Sequence, residues 1–195
     1  MTKETHTNNV KAVDSLMNVL TLKWTYLARQ FRQITAPSQK KSDIKEKEIM
    51  TEVLLEMLKM YGLQEVLGKK HNPQILAMFS EIGFDWVDDD ETAWCSAALN
   101  YFCKKTGYER SGKLDARSWL KLPVLVLKPQ LGDIVVFWRN SPQAWEGHVG
   151  LYISEDTYNV YVLGGNQGDK LCISPYDKNR VLGYRQARKL ENIRS

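Results

Sequence analysis

The sequence predicts an α+β fold, with N-terminal helices followed by an antiparallel β-sheet of about five strands. Two observations carry the prediction. Apolar residues recur at helical spacing as far as about residue 120, and after Pro123 the pattern changes to short apolar runs bounded by turns. Helices first and strands last, with no internal repeat, is an α+β order rather than a βαβ alternation. The 195 residues suit one domain with a real core plus an extension.

Val10, Val13, Leu16, Met17, Leu20, Trp24, Leu27, Phe31 and Ile34 fall on one face of a helix over residues 10–34. Such a helix packs on the domain or on a copy of itself. Alternatively, with Lys11, Lys23, Arg29 and Arg32 near the stripe, it docks on a partner or a membrane surface. Residues 36–43 are polar and contain a proline, so residues 1–42 read as an amphipathic helical extension and linker, and 43–190 as the main domain. Ser42 or Asp43 can cap a second helix that runs to about Tyr61 and stops at Gly62, with Ile49, Val53, Leu54, Met57 and Leu58 inward. Asn72 and Pro73 open a short helix, Gln74 to Ile82, ended by Gly83. A helix from about Trp94 to Lys105 stops at Gly107, and a short one covers Asp115 to Leu120. Leu131-Gly132-Asp133 turns into a strand from Ile134 to Trp138. Further strands cover His148 to Ser154, Tyr158 to Leu163, Leu171 to Ser174 and Val181 to Arg185. Glu155-Asp156-Thr157 joins the second and third as a hairpin.

Hydrophobic residues at 43% and charged residues at 26% are ordinary for a soluble globular chain. The net charge of +4 is spread without a dense Lys/Arg block interleaved with aromatics, which argues against a nucleic-acid partner. No transmembrane segment is expected, because no run is long and apolar enough. The polar start, Met1 to Asn9, lacks the apolar core of a secretory signal. The expectation is therefore a protein made in the cytoplasm without a signal peptide. Three cysteines cannot all pair within the chain. Cys95 and Cys103 share one helix, ~12 Å apart along its axis, too far for a disulfide. There is no CxxC and no HExxH, so no metal site is expected.

The chemistry concentrates at three points. Cys95 lies in the first turn of its helix, after the acidic run Asp88-Asp89-Asp90-Glu91, where the dipole and orphan amides lower a thiol's pKa. His148 opens an apolar strand within Gly147-His148-Val149-Gly150. It is the best available base, because His6 lies in the polar tail and His71 in a helix-start motif. Asn166 follows the next strand in Gly164-Gly165-Asn166-Gln167 and can orient the imidazole. With the hairpin turn centred on Asp156, His148 faces Gly164, and Asn166 lies two positions on at the same end. Diagonal neighbours ~7–8 Å apart put a His–Asn contact within reach.

In these residues the chain resembles the CHAP-like and NlpC-like branch of papain-fold cysteine hydrolases that cut peptidoglycan. The matching features are Trp94-Cys95-Ser96-Ala97, Gly132-Asp133-Ile134-Val135-Val136-Phe137, Gly147-His148-Val149-Gly150, Gly164-Gly165-Asn166-Gln167 and Arg180-Val181-Leu182-Gly183-Tyr184-Arg185. His71-Asn72-Pro73 and the Asp115 to Leu120 segment also fit. The likeness covers about residues 60 to 186 and leaves residues 1–42 without a counterpart.

The resemblance implies a papain-like (NlpC/CHAP-type) domain over residues 43–190, acting as an amidase or endopeptidase on stem peptides of the bacterial wall. Cys95 would be the nucleophile, His148 the base and then the acid, and Asn166 the orienting residue, with Gln167 or Asp169 as substitutes. Trp94, Trp138, Trp145 and Gln167 would line the substrate groove, whereas Trp119 reads as core. The Cys95 amide should dominate the oxyanion hole, because an ionised carboxylate before it cannot donate. The acidic run would compensate the helix N-terminus or attract the amino group of a stem peptide. This chemistry needs no cofactor. The implied partner is peptidoglycan, reached as a phage-type lysin or as an interbacterial toxin with an immunity protein or delivery machinery. The alternatives are a non-catalytic wall-binding module and a cysteine hydrolase or acyltransferase acting on a protein.

Overall fold

The computed structural model describes residues 52–68 and 70–192. The expected helix over residues 10–34, the linker and the start of the second helix lie outside them. Residues 52–59 are helical (α1), and Val53, Leu54 and Met57 are buried as the periodicity requires. Leu58, expected inward, is 38% exposed, because it sits at the edge of the apolar stripe. A second helix, α2, spans Pro73–Glu81; the Asn72 side chain accepts from the Gln74 amide, and proline occupies its first turn. A third helix, α3, spans Cys95–Thr106 and ends on Gly107 at φ 77°, the left-handed conformation that a helix C-terminus assigns to glycine. A 3-10 turn, Ala116–Lys121, is capped by Asp115.

The strands are β1 Val124–Val126, β2 Ile134–Trp138, β3 Gly147–Glu155, β4 Asn159–Gly164, β5 Cys172–Asp177 and β6 Val181–Gln186. They form one six-stranded sheet of order β1-β6-β2-β3-β4-β5, and every pairing is antiparallel. The fold class is α+β as the sequence predicts, with one more strand. The extra strand is β1, a three-residue apolar run after Pro123, shorter than the alternation by which strands are recognised.

Two apolar layers flank the sheet. Ile134, Val136, Val149, Leu151 and Leu163 face a core shared with all three helices. The alternate residues Val135, Phe137, Tyr152, Val160 and Val162 form a smaller cluster on the other face, closed by Tyr176, Val181 and Tyr184. β2 is therefore buried on both faces, which explains its unbroken apolar sequence. On β3, His148 falls in the alternate set and so carries its ring towards the smaller cluster.

Candidate active site

α3 starts without a side-chain cap: Trp94 occupies the N-cap and makes no capping hydrogen bond. The first-turn amides stay available to other acceptors. Trp94 is itself fully buried, and its indole Nε1 donates to Glu65 Oε1 at 2.7 Å. Its ring leaves no room beside Gly165, where an added Cβ would stand 2.5 Å from two ring carbons. This contact seats the helix start against the end of β4.

Cys95 is 6% exposed and unpaired. Burial pushes its thiol up, against a downward pull from the Val149 amide, the Arg139 guanidinium and the amides of Ser96 and Cys95. The amides that the helix N-terminus was expected to supply are in place, but desolvation outweighs them. The expected low thiol pKa is thus reversed in this closed arrangement. The link to Val149 places the sulfur beside β3, one residue from His148.

His148 is fully buried. Its ring stacks on Tyr176 at 4.7 Å and 10°, and Tyr176 stacks in turn on Phe137 at 4.8 Å. Nε2 lies 3.0 Å from Gln167 Oε1. The Gln167 amide nitrogen donates to the carbonyls of Val162 and Cys172, which assigns Oε1 as the end facing the ring. Nε2 must then carry the proton, leaving Nδ1 as an acceptor. Arg139 Nη2 stands 3.5 Å from Nδ1. Burial, followed by the Arg139 charge, pushes His148 down to about 3, so the resting imidazole is neutral.

Asn166 does not reach the imidazole. It adopts φ 55°, and its Nδ2 donates to Glu65 Oε1 at 3.0 Å. The register is not the reason: Leu151 pairs with Leu163 and Tyr152 with Val162, two positions from the pairing expected for a turn centred on Asp156, which would set residue 166 opposite His148 if β4 continued. β4 ends at Gly164, which lies beside His148: an added Cβ there would meet His148 Nε2 and Gln167 Oε1, each at 3.2 Å. Beyond Gly164 the chain leaves the strand, and Gln167 folds back under the ring. Asp169, the other substitute considered, is exposed at φ 63°.

Of the other expected groove residues, Trp145 is 75% exposed, and Trp138 is half-buried under the Arg180 guanidinium, 5.4 Å from its ring. Trp119 is core, as expected, and donates to Ser96 Oγ at 2.8 Å. The acidic run does not compensate α3, whose first turn contains no acidic residue. Asp90 is buried, and accepts from the amides of Val66 and Asn72 at 2.9 and 2.8 Å, so it ties down the loop before α2. Sequence reasoning missed Glu65 and Arg139, which lie outside the expected motifs. Among the described residues no group of three or more His, Cys, Asp or Glu side chains is placed to hold a metal ion.

No family model matches the chain, and no curated protein matches it. Among solved structures it is similar to a Staphylococcus aureus protein described as similar to a lipoprotein of the NLP/P60 family. The identity is 18% and the TM-score 0.43, over 78% of this chain and 44% of that one. The chain thus spans less than half the length of that protein.

Proposed function

We propose that the chain is a papain-like cysteine hydrolase that cleaves amide bonds in the stem peptides of peptidoglycan, as an amidase or endopeptidase. The observation that carries the chemistry is the His148 Nε2–Gln167 Oε1 hydrogen bond at 3.0 Å, which fixes the tautomer and presents Nδ1 as the base. The choice of wall peptides rests on the motif resemblance set out above.

In the proposed reaction, Nδ1 of His148 takes the Cys95 proton and the thiolate attacks the amide carbonyl. The resulting oxyanion is held by the Cys95 amide at the uncapped helix start. The C–N bond breaks as the imidazolium returns the proton to the leaving amine. Water, deprotonated by Nδ1, then cleaves the thioester and restores the thiol. Gln167 holds the imidazole throughout. Both the thiol and the imidazole rest neutral, so charge separation begins only when substrate enters. Trp145 and Trp138 offer the groove wall, and the same site would serve a phage-type lysin or an interbacterial effector.

Digestion of purified peptidoglycan followed by mass spectrometry tests this. Wild type should release new fragments, whose masses name the bond. Cys95→Ala and His148→Ala should each lose activity, by about 10²-fold or more for removal of the base, while remaining folded. Cleavage by Cys95→Ala at the wild-type rate would sink the mechanism. Silence from wild type on several wall types, with turnover of a protein amide, would move the same chemistry to a protein substrate.

A further inference from the structure

We propose that Arg139 is a carboxylate-binding residue of this site, and that the substrate carries a carboxylate beside the scissile amide. The inference deepens the hydrolytic reading and depends on it for the identity of the scissile bond.

Arg139 is the first residue after β2. Its amide donates to Glu146 O at 3.2 Å, which pins the backbone, and Asn140 follows at φ 60°. Arg117 braces the same loop through the carbonyls of Glu146, Ser141 and Pro142 at 3.0–3.4 Å. The loop is held, but the Arg139 guanidinium is not. Among the described residues its single side-chain hydrogen bond is the 3.5 Å approach to His148 Nδ1, and no carboxylate lies within ion-pair distance.

The other half-buried arginines differ. Arg117 and Arg180 turn two nitrogens to backbone carbonyls, as does Arg185. A guanidinium has five N–H donors in a fork that matches a carboxylate. Arg139 keeps nearly all of them in hand, half-buried, where its charge reaches both the Cys95 sulfur and the His148 ring. That charge has no anion beside it, and its one contact covers the nitrogen that must accept the thiol proton. A substrate carboxylate resolves both: it pairs with the fork and draws it off Nδ1. Peptides with the carboxylate beside the scissile bond would therefore react, and their carboxamide counterparts would find the base still covered.

The test compares alkylation of Cys95 by iodoacetate and by iodoacetamide, followed by peptide mapping so that Cys103 and Cys172 are read separately. Effects on thiol ionisation cancel in the ratio of the two rates. Arg139→Gln should lower the iodoacetate:iodoacetamide ratio about tenfold, the scale of one charge-assisted hydrogen bond, and Arg139→Lys should retain part of it. A ratio unchanged in Arg139→Gln overturns the proposal. Should Cys95 resist both reagents, NMR of Cys95→Ala protein decides. The Arg139 Nε–H resonance should move with N-acetylglycine and stay with N-acetylglycinamide, and equal response or none overturns the proposal. Wall fragments with an unaltered ratio would remove the carboxylate site and keep the hydrolase. A lowered ratio without fragments from any wall would do the reverse.

Discussion

The amide of Gln167 is used at both ends, with its nitrogen on the carbonyls of Val162 and Cys172 and its oxygen on His148 Nε2. Rotation of that amide would place two donors against each other, so the network permits one orientation. Losing a hydrogen bond to a group that becomes charged in the proposed reaction costs about 1.5–3 kcal/mol. Gln167→Ala should therefore lower kcat about ten- to hundredfold. Asn166→Ala, which removes a bond to Glu65, should lower kcat less than Gln167→Ala. Steady-state rates of the two variants side by side check this, and the opposite order would return the orienting role to Asn166. As candidates, Cys95 and His148 were legible in the sequence, because each has a distinctive residue type at an element boundary. The sequence did not separate Asn166 from Gln167, because that choice turns on where β4 ends and on the left-handed backbone of Asn166 after it. Arg139 was invisible for a different reason: an arginine after a strand is ordinary until it is seen to have His148 and no carboxylate beside it.

Among elements, α3 is the one on which the site depends. An absent N-cap forgoes about 1 kcal/mol of helix stability, and in return the first-turn amides stay open beside the thiol. The helix start is located by the Trp94 ring on Gly165 and by Glu65, which accepts from Trp94 and from Asn166. The segment before α2 runs along the chain after β4: Gln64 bridges Lys170, and the Glu65 amide donates to Asp169 O at 2.9 Å. Gly165→Ala would drive a methyl into the indole. It should destabilise the protein by about 1–3 kcal/mol through overpacking, read as a lower denaturant midpoint with an unchanged slope. Stability equal to wild type would mean that this packing has slack. Among the described residues, the helices and the central strands were readable from periodicity, with Asn72 and Gly107 marking two of the ends, whereas Asp115 proved to be a cap and not a helix residue. β1 was not, because three residues are too few to show a period.

For the molecule as a whole, the neutral interior of the site sets a dependence on acid. His148 has its folded value near 3 and its ordinary value at 6.5, with burial as the main cause. Between those values the unfolded chain holds a proton that the folded chain refuses. Stability is thus undiminished above about 6.5 and is lost as pH falls towards about 3. In His148→Gln that proton is gone. Unfolding curves across the interval should show the stability of wild type relative to the variant declining with acid, and parallel curves would refute the neutral buried imidazole. A different consequence follows from β5 as the last strand of the sheet, paired with β4 alone. It carries Tyr176, on which His148 stacks, and Cys172, whose carbonyl holds Gln167. Outer strands detach at lower free energy than the whole domain unfolds. Peeling of β5 would release the imidazole and uncover the smaller apolar layer at Tyr176 while the helix-facing core stays largely closed, so warming should silence the proposed turnover several degrees before the calorimetric transition. Coincident inactivation and melting curves would contradict this. The sheet's margin then works as a thermal fuse, and hydrogen exchange at Ser174, whose partner is Val162, would report the temperature at which it blows.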